Sequence, residues 1–212
     1  MPRLHEEVIS KQMADLLKQI CANPAFKDFY LAGGTALALQ LGHRKSIDLD
    51  FFSPTEFSAN LINKLGLEYQ VINLNDNSIE VTVNGCKLMF MYFGYPLTNP
   101  IKEFEGLRLA DPLDIGFMKL LALQGRSTKK DIIDLFFLDK NILPLEKLLK
   151  SFESVYPKES FNAYASLKSI INPEDFMGQA NPLMLIETDS EIAYELVVNK
   201  VGAHLKGLLL SK

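Results

Sequence analysis

The spacing of apolar positions in the first third of the chain changes from helical to strand-like. Apolar residues recur every three to four positions across residues 4–22, which predicts an amphipathic helix that ends before Pro24. Residues 29–32 are a short apolar run with strand character. After two glycines, residues 35–41 are strong helix formers, and Gly42 is a typical helix stop. The pattern therefore predicts a strand, a glycine turn and a helix.

A second strand and a hairpin are predicted next. Residues 47–52 alternate between apolar and polar, which is typical of a strand. Ser53, Pro54 and Glu56 have the pattern of a helix start, with an N-cap, a first-turn proline and a capping box. Further strands are predicted at residues 68–74, 79–83 and 86–93, and Asn84-Gly85 predicts a tight hairpin between the last two.

The second half of the chain has a mostly helical pattern. Asp111-Pro112 is expected to open a helix that runs to about Gln124, and Ser127 or Thr128 to cap another that runs to about Leu138. Later helices are predicted near residues 144–155, 160–170 and 189–210, the last with a Thr188/Glu191 capping box. The predicted fold class is α+β: a mixed sheet flanked by helices in residues 1–140, then a helical region in residues 141–212.

Composition narrows the classes of function. The 212 residues include 22 Lys and Arg and 26 Asp and Glu, a formal net charge of -4 that argues against a wholly basic nucleic-acid binder. Two cysteines, Cys21 and Cys86, cannot build a disulfide framework or a zinc cluster. No apolar run approaches the ~20 residues that span a bilayer, and the first residues lack a signal-peptide pattern. We therefore expect a cytoplasmic protein.

Asp48 and Asp50 are the strongest chemical candidates. Residues two apart in a strand point to the same face, so the two carboxylates should lie side by side. Two like charges at this distance favour a cation between them, and paired carboxylates suit Mg²⁺. An alternative is a solvated strand face, or ion pairs with Arg44 and Lys45.

Gly33, Gly34 and Thr35 form a second candidate feature at the predicted strand-to-helix turn. Glycines there allow backbone N–H groups to approach a phosphate at the helix N-terminus, whereas the alternative is simply a tight turn. A phosphate-binding turn beside a carboxylate pair is the arrangement that a metal-dependent nucleotidyltransferase needs.

The segment Leu31–Phe52, LAGGTALALQLGHRKSIDLDFF, closely resembles the signature of the AbiEii/AbiGii toxin family of nucleotidyltransferases, in the DNA polymerase β-like superfamily. A second block resembles the family's downstream motif, with Lys119, Arg126, Lys130-Asp131 and Asp134-Leu135 in matching order. The resemblance covers roughly residues 28–140. It implies a nucleotidyltransferase-like fold and transfer of a nucleotidyl group from an NTP.

The resemblance also implies residue roles. Asp48 and Asp50 would hold Mg²⁺, and Lys119 would contact a phosphate, with Asp131 or Asp134 completing the catalytic site. Nucleotide binding is assigned to five residues of the first block: Gly33, Gly34, Thr35, Arg44 and Ser46.

The residues of the second block have structural alternatives of their own. Lys119 lies among apolar neighbours and could simply extend its ammonium to water. Asp131 is favoured in the first turn of its helix by the helix dipole, whatever its chemistry. Many superfamily members carry a third carboxylate on a later strand, but strand 87–92 has no acid, which leaves Glu80 as a substitute and the number of metal ions open.

Partners remain open as well. Basic clusters at His43–Lys45 and around Arg126, Lys129 and Lys130 would suit a polyphosphate or an RNA end, and are otherwise ordinary solvated loops. The resemblance implies the toxin of a bacterial toxin–antitoxin or phage-defence pair, with tRNA as an acceptor and a cognate antitoxin as partner. The alternatives are a small-molecule nucleotidyltransferase, of the antibiotic or sugar-phosphate type, and a non-catalytic nucleotide-binding relative.

Overall fold

The computed structural model describes residues 3–125, 127–156, 161–171 and 178–210. Backbone contacts divide the chain into two compact units, Met1–Asp111 and Pro112–Lys212. This division falls between 111 and 112, whereas the sequence placed the end of the transferase core at residue 140. The functional extent of the core stays a prediction. No helix in the described ranges is both long enough and apolar enough to cross a membrane.

The first unit is built on a seven-stranded mixed sheet with the spatial order β3-β4-β5-β2-β1-β7-β6. The strands are β1 Tyr30–Leu31, β2 Asp48–Ser53, β3 Gln70–Asn75, β4 Ser78–Val83, β5 Cys86–Tyr92, β6 Lys102–Phe104 and β7 Leu107–Leu109. β2 pairs in parallel with β5 and antiparallel with β1. The α+β class and the mixed sheet predicted from the sequence are confirmed.

Helices α1 (Lys11–Ala22) and α2 (Gly33–Leu41) precede the second strand of this unit. α1 begins later than predicted because the Ser10 hydroxyl caps it by accepting a hydrogen bond from the Met13 N–H at 3.2 Å, and Glu6–Val8 form a separate 3₁₀ turn. α2 begins at Gly33, so the predicted glycine turn is the first turn of the helix itself.

Alternation along the central strands separates a buried face from an open face. Leu49 and Phe51 of β2 are buried, and their cross-strand partners Leu88 and Phe90 of β5 are buried with them. Phe90 stacks on Phe51 with ring centroids 5.4 Å apart. The residues that alternate with them on β2, Asp48 and Asp50, therefore lie on the open face.

Two sequence predictions in this unit were wrong or incomplete. No helix starts at Ser53, which ends β2: its hydroxyl donates to the Thr55 carbonyl at 2.7 Å and accepts from the Thr55 N–H at 3.1 Å. The following helical segment is a 3₁₀ helix at Ala59–Leu65, capped by Ser58. The short hairpin of β6 and β7 was missed because each strand has only three residues.

The described part of the second unit contains five helices: α3 Pro112–Ala122, α4 Lys129–Asn141, α5 Leu145–Val155, α6 Ala163–Ile171 and α7 Ser190–Leu210. Thr128 caps α4, as one of the two predicted residues. At α7 the cap is Asp189 instead of Thr188, because the Asp189 carboxylate accepts from the N–H groups of Glu191 and Ile192 at 2.9 and 3.2 Å. Arg126 of the second motif lies outside the described residues.

Candidate nucleotidyltransferase site

The Asp48 and Asp50 side chains lie on the open face of β2, each half-buried. Leu49 and Phe51 face the core between and beyond them, which holds the two aspartates in one register. The same-face placement predicted from the spacing is therefore present in the fold.

The glycine turn lies directly against this pair. The Ala32 N–H donates to the Asp50 carbonyl at 2.9 Å, which ties the end of β1 to β2. Gly33 has φ +62°, and a Cβ built on it would be 2.5 Å from Asp50 Oδ2. The carboxylate thus occupies the space that any larger residue at position 33 would need, and the first turn of α2 lies directly against Asp50.

The first turn of α2 has no side-chain cap, because the N-cap residue is Ala32. Helices leave their first N–H groups without intrahelical acceptors, and the aligned peptide dipoles place partial positive charge there. An anionic group next to Gly33 and Gly34 would satisfy both conditions.

The Thr35 and Ser46 hydroxyl groups connect helix α2 to the strand that carries the aspartates. Thr35 is buried, and its hydroxyl lies 2.7 Å from the Ser46 hydroxyl and donates a very short hydrogen bond to the Asp48 carbonyl. These bonds join α2 to the start of β2. In this arrangement the Thr35 hydroxyl orients the strand that carries the aspartates, and its predicted contact with a phosphate stays a prediction.

Arg44 lies inside the first unit. Its side chain is only 2% exposed, and Nη1 donates to the Lys45 carbonyl at 3.0 Å. Lys45 donates a very short hydrogen bond to the Glu7 carbonyl. The predicted basic rim of His43, Arg44 and Lys45 is therefore mostly internal: His43 is fully buried, and only Lys45 is partly exposed. Arg44 and Ser46 as nucleotide contacts stay predictions.

The donor set at the aspartate pair suits a hard divalent cation. Two carboxylates on one open face supply anionic oxygens, and Mg²⁺ usually completes six-fold coordination with water and substrate phosphates. The uncapped α2 turn lies at the same place for those phosphates. Within the described residues, no group of three or more His, Cys, Asp or Glu side chains could hold an ion. The two carboxylates therefore fit a metal ion whose remaining ligands come from water and from the phosphates of a substrate.

Glu80 and Lys87 lie on the same open face. In the register of the sheet, Lys87 of β5 is the direct neighbour of Asp48, and Met89 lies between Asp50 and Glu80. The Lys87 ammonium forms a very short ion pair with Glu80. The hydrogen bond that Lys87 donates to Glu80 raises the pKa of Lys87 above its usual value despite partial desolvation, and the charges of Glu80, Asp48 and Asp50 add to this effect. Sequence reasoning named Glu80 only as a substitute ligand and missed Lys87.

The second motif forms a compact ionic cluster in the second unit. Lys119 of α3 is 6% exposed, and its ammonium lies 2.9 Å from Asp131 Oδ1 and 2.6 Å from Asp134 Oδ2 on α4. The Thr128 hydroxyl donates to Asp131 Oδ2 at 2.6 Å. The snorkelling alternative for Lys119 is thus excluded, because its ammonium is turned inward to two carboxylates.

The electrostatics of Asp131 follow from this cluster. Burial alone would raise the pKa of Asp131, but the charge of Lys119 and the hydrogen bonds from Thr128 and Lys119 outweigh it, so the pKa lies below its ordinary value. Asp131 is therefore a carboxylate at neutral pH.

Two residues far along the chain complete the start of α4. Gln179 Oε1 accepts from the Lys129 N–H at 2.7 Å, and its amide group donates to the Ser127 carbonyl at 3.3 Å. Asn181 accepts from the Lys129 ammonium at 2.8 Å. Lys129 is therefore buried in the second unit instead of belonging to a solvated basic rim. No spacing in the sequence pointed to Gln179 or Asn181.

The structure thus gathers the predicted residues into two groups. Gly33, Gly34, Thr35, Asp48 and Asp50 meet in the first unit, and Lys119, Asp131 and Asp134 meet in the second. That the second group completes the catalytic site stays a prediction.

Comparison with known proteins matches the segment that contains the first group. Residues 15–85 match the family model described as "Nucleotidyl transferase AbiEii toxin, Type IV TA system", a range that contains both the glycine turn and the aspartate pair. An uncharacterised protein of Aquifex aeolicus (strain VF5), aq_aa25, is 37% identical over 154 residues, which cover 67% of this chain and 74% of that protein.

Solved structures share the fold. A proposed nucleotidyltransferase from H. pylori superposes with a TM-score of 0.57 at 23% identity, covering 94% of this chain and 98% of that one. The nucleotidyltransferase toxin MenT4 from Mycobacterium tuberculosis H37Rv has a TM-score of 0.56 at 16% identity, with 92% and 83% covered. With its sequence relative, its family match and the juxtaposed glycine turn and aspartate pair, the chain belongs to the AbiEii toxin family of nucleotidyltransferase enzymes.

Proposed function

We propose that this chain transfers a nucleotidyl group from an NTP to an acceptor, with Asp48 and Asp50 holding Mg²⁺ and the first turn of α2 binding the phosphates. The contact between Gly33 and Asp50 carries the proposal, because it brings a phosphate-type helix start to a carboxylate pair within one rigid set of hydrogen bonds. When bound, the metal ion would offset the charge of the triphosphate.

The chain's own residues supply positioning and charge balance. The N–H groups after Ala32 would orient the phosphates, and the hydrogen bonds of Thr35 to Ser46 and Asp48 would keep β2 in register with that turn. In the reaction, an acceptor oxygen bonds to the α-phosphorus while the bond to the β-phosphate oxygen breaks. Pyrophosphate leaves, and the proton of the acceptor hydroxyl passes to water.

Lys119, Asp131 and Asp134 are proposed as the second part of the catalytic site. Asp131 is the more accessible of the two acids, with 14% of its side chain exposed against 0% for Asp134. A low pKa keeps Asp131 ionised, which suits it to accept a hydrogen bond from an acceptor hydroxyl. Asp134 and Thr128 would then hold Lys119 and Asp131 in place.

The biological role proposed here is that of a toxin. The matched family is described as the toxin of a type IV toxin–antitoxin system, and MenT4 is a nucleotidyltransferase toxin. We propose that the acceptor is an RNA end, with tRNA the first to test, that a cognate antitoxin protein is the partner, and that the enzyme acts in the bacterial cytoplasm, in toxin–antitoxin or phage defence.

Incubation with each α-labelled NTP, total RNA and Mg²⁺ tests the activity. The wild type should label one RNA class with one nucleotide. Asp48→Asn and Asp50→Asn should lose transfer by at least about a hundredfold because each removes an anionic ligand oxygen. Asp76→Asn, in the exposed turn between β3 and β4, is the matched control and should keep full activity. Full activity in Asp50→Asn would contradict the proposed metal site.

A further inference from the structure

The open face of the sheet carries a cation of its own. Lys87 extends from β5 between β2 and β4, with Asp48 as its direct neighbour on one side and Thr82 on the other. Neighbouring strands are about 4.8 Å apart, so the Lys87 backbone lies one strand spacing from the Asp48 backbone. The Lys87 side chain is 49% exposed, so its charge lies at the protein surface.

Glu80 determines where that cation lies. The Glu80 carboxylate, only 18% exposed, forms an ion pair with Lys87 across the β4–β5 register. One row of side chains crosses β2, β5 and β4 and consists of Asp50, Met89 and Glu80. Glu80 is therefore on the same face of the sheet as the aspartate pair. It contacts Lys87 in this position instead of joining the aspartates, in agreement with the lack of a three-acid ion site among the described residues.

The formal charges of this face balance one divalent ion. Asp48, Asp50 and Glu80 are three carboxylates and Lys87 is one ammonium, so the four groups sum to a charge of −2. One Mg²⁺ neutralises them. Without Lys87 the same groups would sum to a charge of −3, which would draw in cations more strongly.

We propose that Lys87, held by Glu80, is a resident cation that weakens divalent-ion binding to Asp48 and Asp50 until a nucleotide triphosphate arrives. The inference rests on the proposed function. Its consequence is an order of events: the metal enters together with the triphosphate, whose own negative charge overcomes the repulsion from Lys87, and the enzyme without nucleotide holds the ion weakly. Lys87 thus acts on metal affinity through its charge, and Glu80 holds it in place.

Mn²⁺ titrations of the full-length protein, followed by electron paramagnetic resonance with and without a non-hydrolysable NTP analogue, test this order. For Lys87→Met, nucleotide-free Mn²⁺ affinity should rise by about three- to tenfold, with the larger factor at low salt. Lys87→Arg keeps the charge and should leave the affinity unchanged. Glu80→Gln removes a negative charge and releases Lys87, so its affinity should fall. The gain in Mn²⁺ affinity from the analogue should be larger in the wild type than in Lys87→Met.

The outcomes separate this inference from the proposed function. If Asp48→Asn/Asp50→Asn binds Mn²⁺ as the wild type does, the metal site and the proposed function both fail. If that double variant loses Mn²⁺ while Lys87→Met matches the wild type, only the role of Lys87 is overturned. Equal changes in Lys87→Met and Lys87→Arg would also overturn it, because they would show an effect of shape instead of charge.

Discussion

Gly33 faces two separate restrictions. Its φ of +62° lies in the left-handed region, and the space beside its Cα is filled by the Asp50 carboxylate. Gly66 has nearly the same φ, +66°, but a Cβ there would meet nothing within 4 Å. A substitution at Gly66 therefore measures the energetic cost of the backbone conformation alone, whereas a substitution at Gly33 adds the cost of crowding against Asp50.

Gly33→Ala should destabilise the fold more than Gly66→Ala and should also displace Asp50. The left-handed conformation costs a non-glycine residue about 1–2 kcal/mol, and both variants should show that loss in urea unfolding. Only Gly33→Ala should also weaken Mn²⁺ and NTP binding, by about tenfold or more. Equal binding by the two variants would mean that the turn has no part in the site.

Lys119 is a buried cation with two carboxylate partners, one of which, Asp134, is fully buried. Removing one member of such a group leaves charges buried without compensation, which is more costly than the loss of an exposed pair. Lys200 offers a comparison, since it also has two carboxylate partners, Asp139 at 2.9 Å and Glu146 at 3.2 Å, but is 28% exposed.

Lys119→Met should lower the free energy of unfolding by about 3–5 kcal/mol. Lys200→Met should lower it by about 1 kcal/mol, because water screens the more exposed pair. Chemical denaturation of both variants at neutral pH makes the comparison. A loss of activity in Lys119→Met is therefore interpretable as catalytic only at a temperature where the variant is shown to be folded. Equal losses of stability would contradict the buried-cluster interpretation.

At the scale of elements, helix α4 is organised from its first turn. The Thr128 hydroxyl accepts from the Asp131 N–H at 3.2 Å and donates to the Asp131 carboxylate at 2.6 Å, while Gln179 covers the Lys129 N–H. The same turn thus caps the helix and orients the acid that contacts Lys119.

Thr128→Val should lower the free energy of unfolding by about 1 kcal/mol at neutral pH, because the helix cap is lost. Thr128→Ser keeps a hydroxyl and should lower it much less. Because the pKa of Asp131 is lowered in the folded state, its ionised form contributes stability above the unfolded pKa, and this is lost as pH falls through the folded pKa. The difference in free energy of unfolding between the wild type and Thr128→Val should therefore become smaller below about pH 4. Unfolding experiments between pH 7 and pH 2.5 measure it, and a constant difference would contradict the role given to Asp131.

At the scale of the molecule, the chain has two compact units with the two motifs divided between them. The sheet, the glycine turn and the aspartate pair all belong to Met1–Asp111, and the Lys119 cluster belongs to Pro112–Lys212. We therefore expect the first unit alone to bind the metal ion and expect nucleotidyl transfer to need both units.

A fragment of residues 1–111 should fold, bind Mn²⁺ through Asp48 and Asp50, and lack nucleotidyl transfer. Each unit has its own set of buried apolar side chains, which is the requirement for independent folding. Circular dichroism and Mn²⁺ titration check the first two points, and the Asp48→Asn fragment is the control. Transfer by the wild-type fragment would show that Lys119, Asp131 and Asp134 are not needed for chemistry.

The sequence alone was enough for the features that depend on local rules. Alternation placed Asp48 and Asp50 on one face, and Asn84-Gly85 specified a hairpin whose φ values, +49° and +77°, the two residue types tolerate. Local rules failed where two structures share one pattern: Ser53 caps a turn as readily as a helix, and the three-residue strands β6 and β7 are too short to show a period.

Tertiary structure decided the contacts between distant residues. Only the fold brings Lys87 beside Asp48, turns Lys119 inward to Asp131 and Asp134, and places Gln179 on the first turn of α4. These contacts depend on strand register and on helix packing, which sum many weak interactions over the whole chain and leave no mark in local spacing. The sequence thus determined which chemical groups are available, and the fold decided which charged residues lie next to one another.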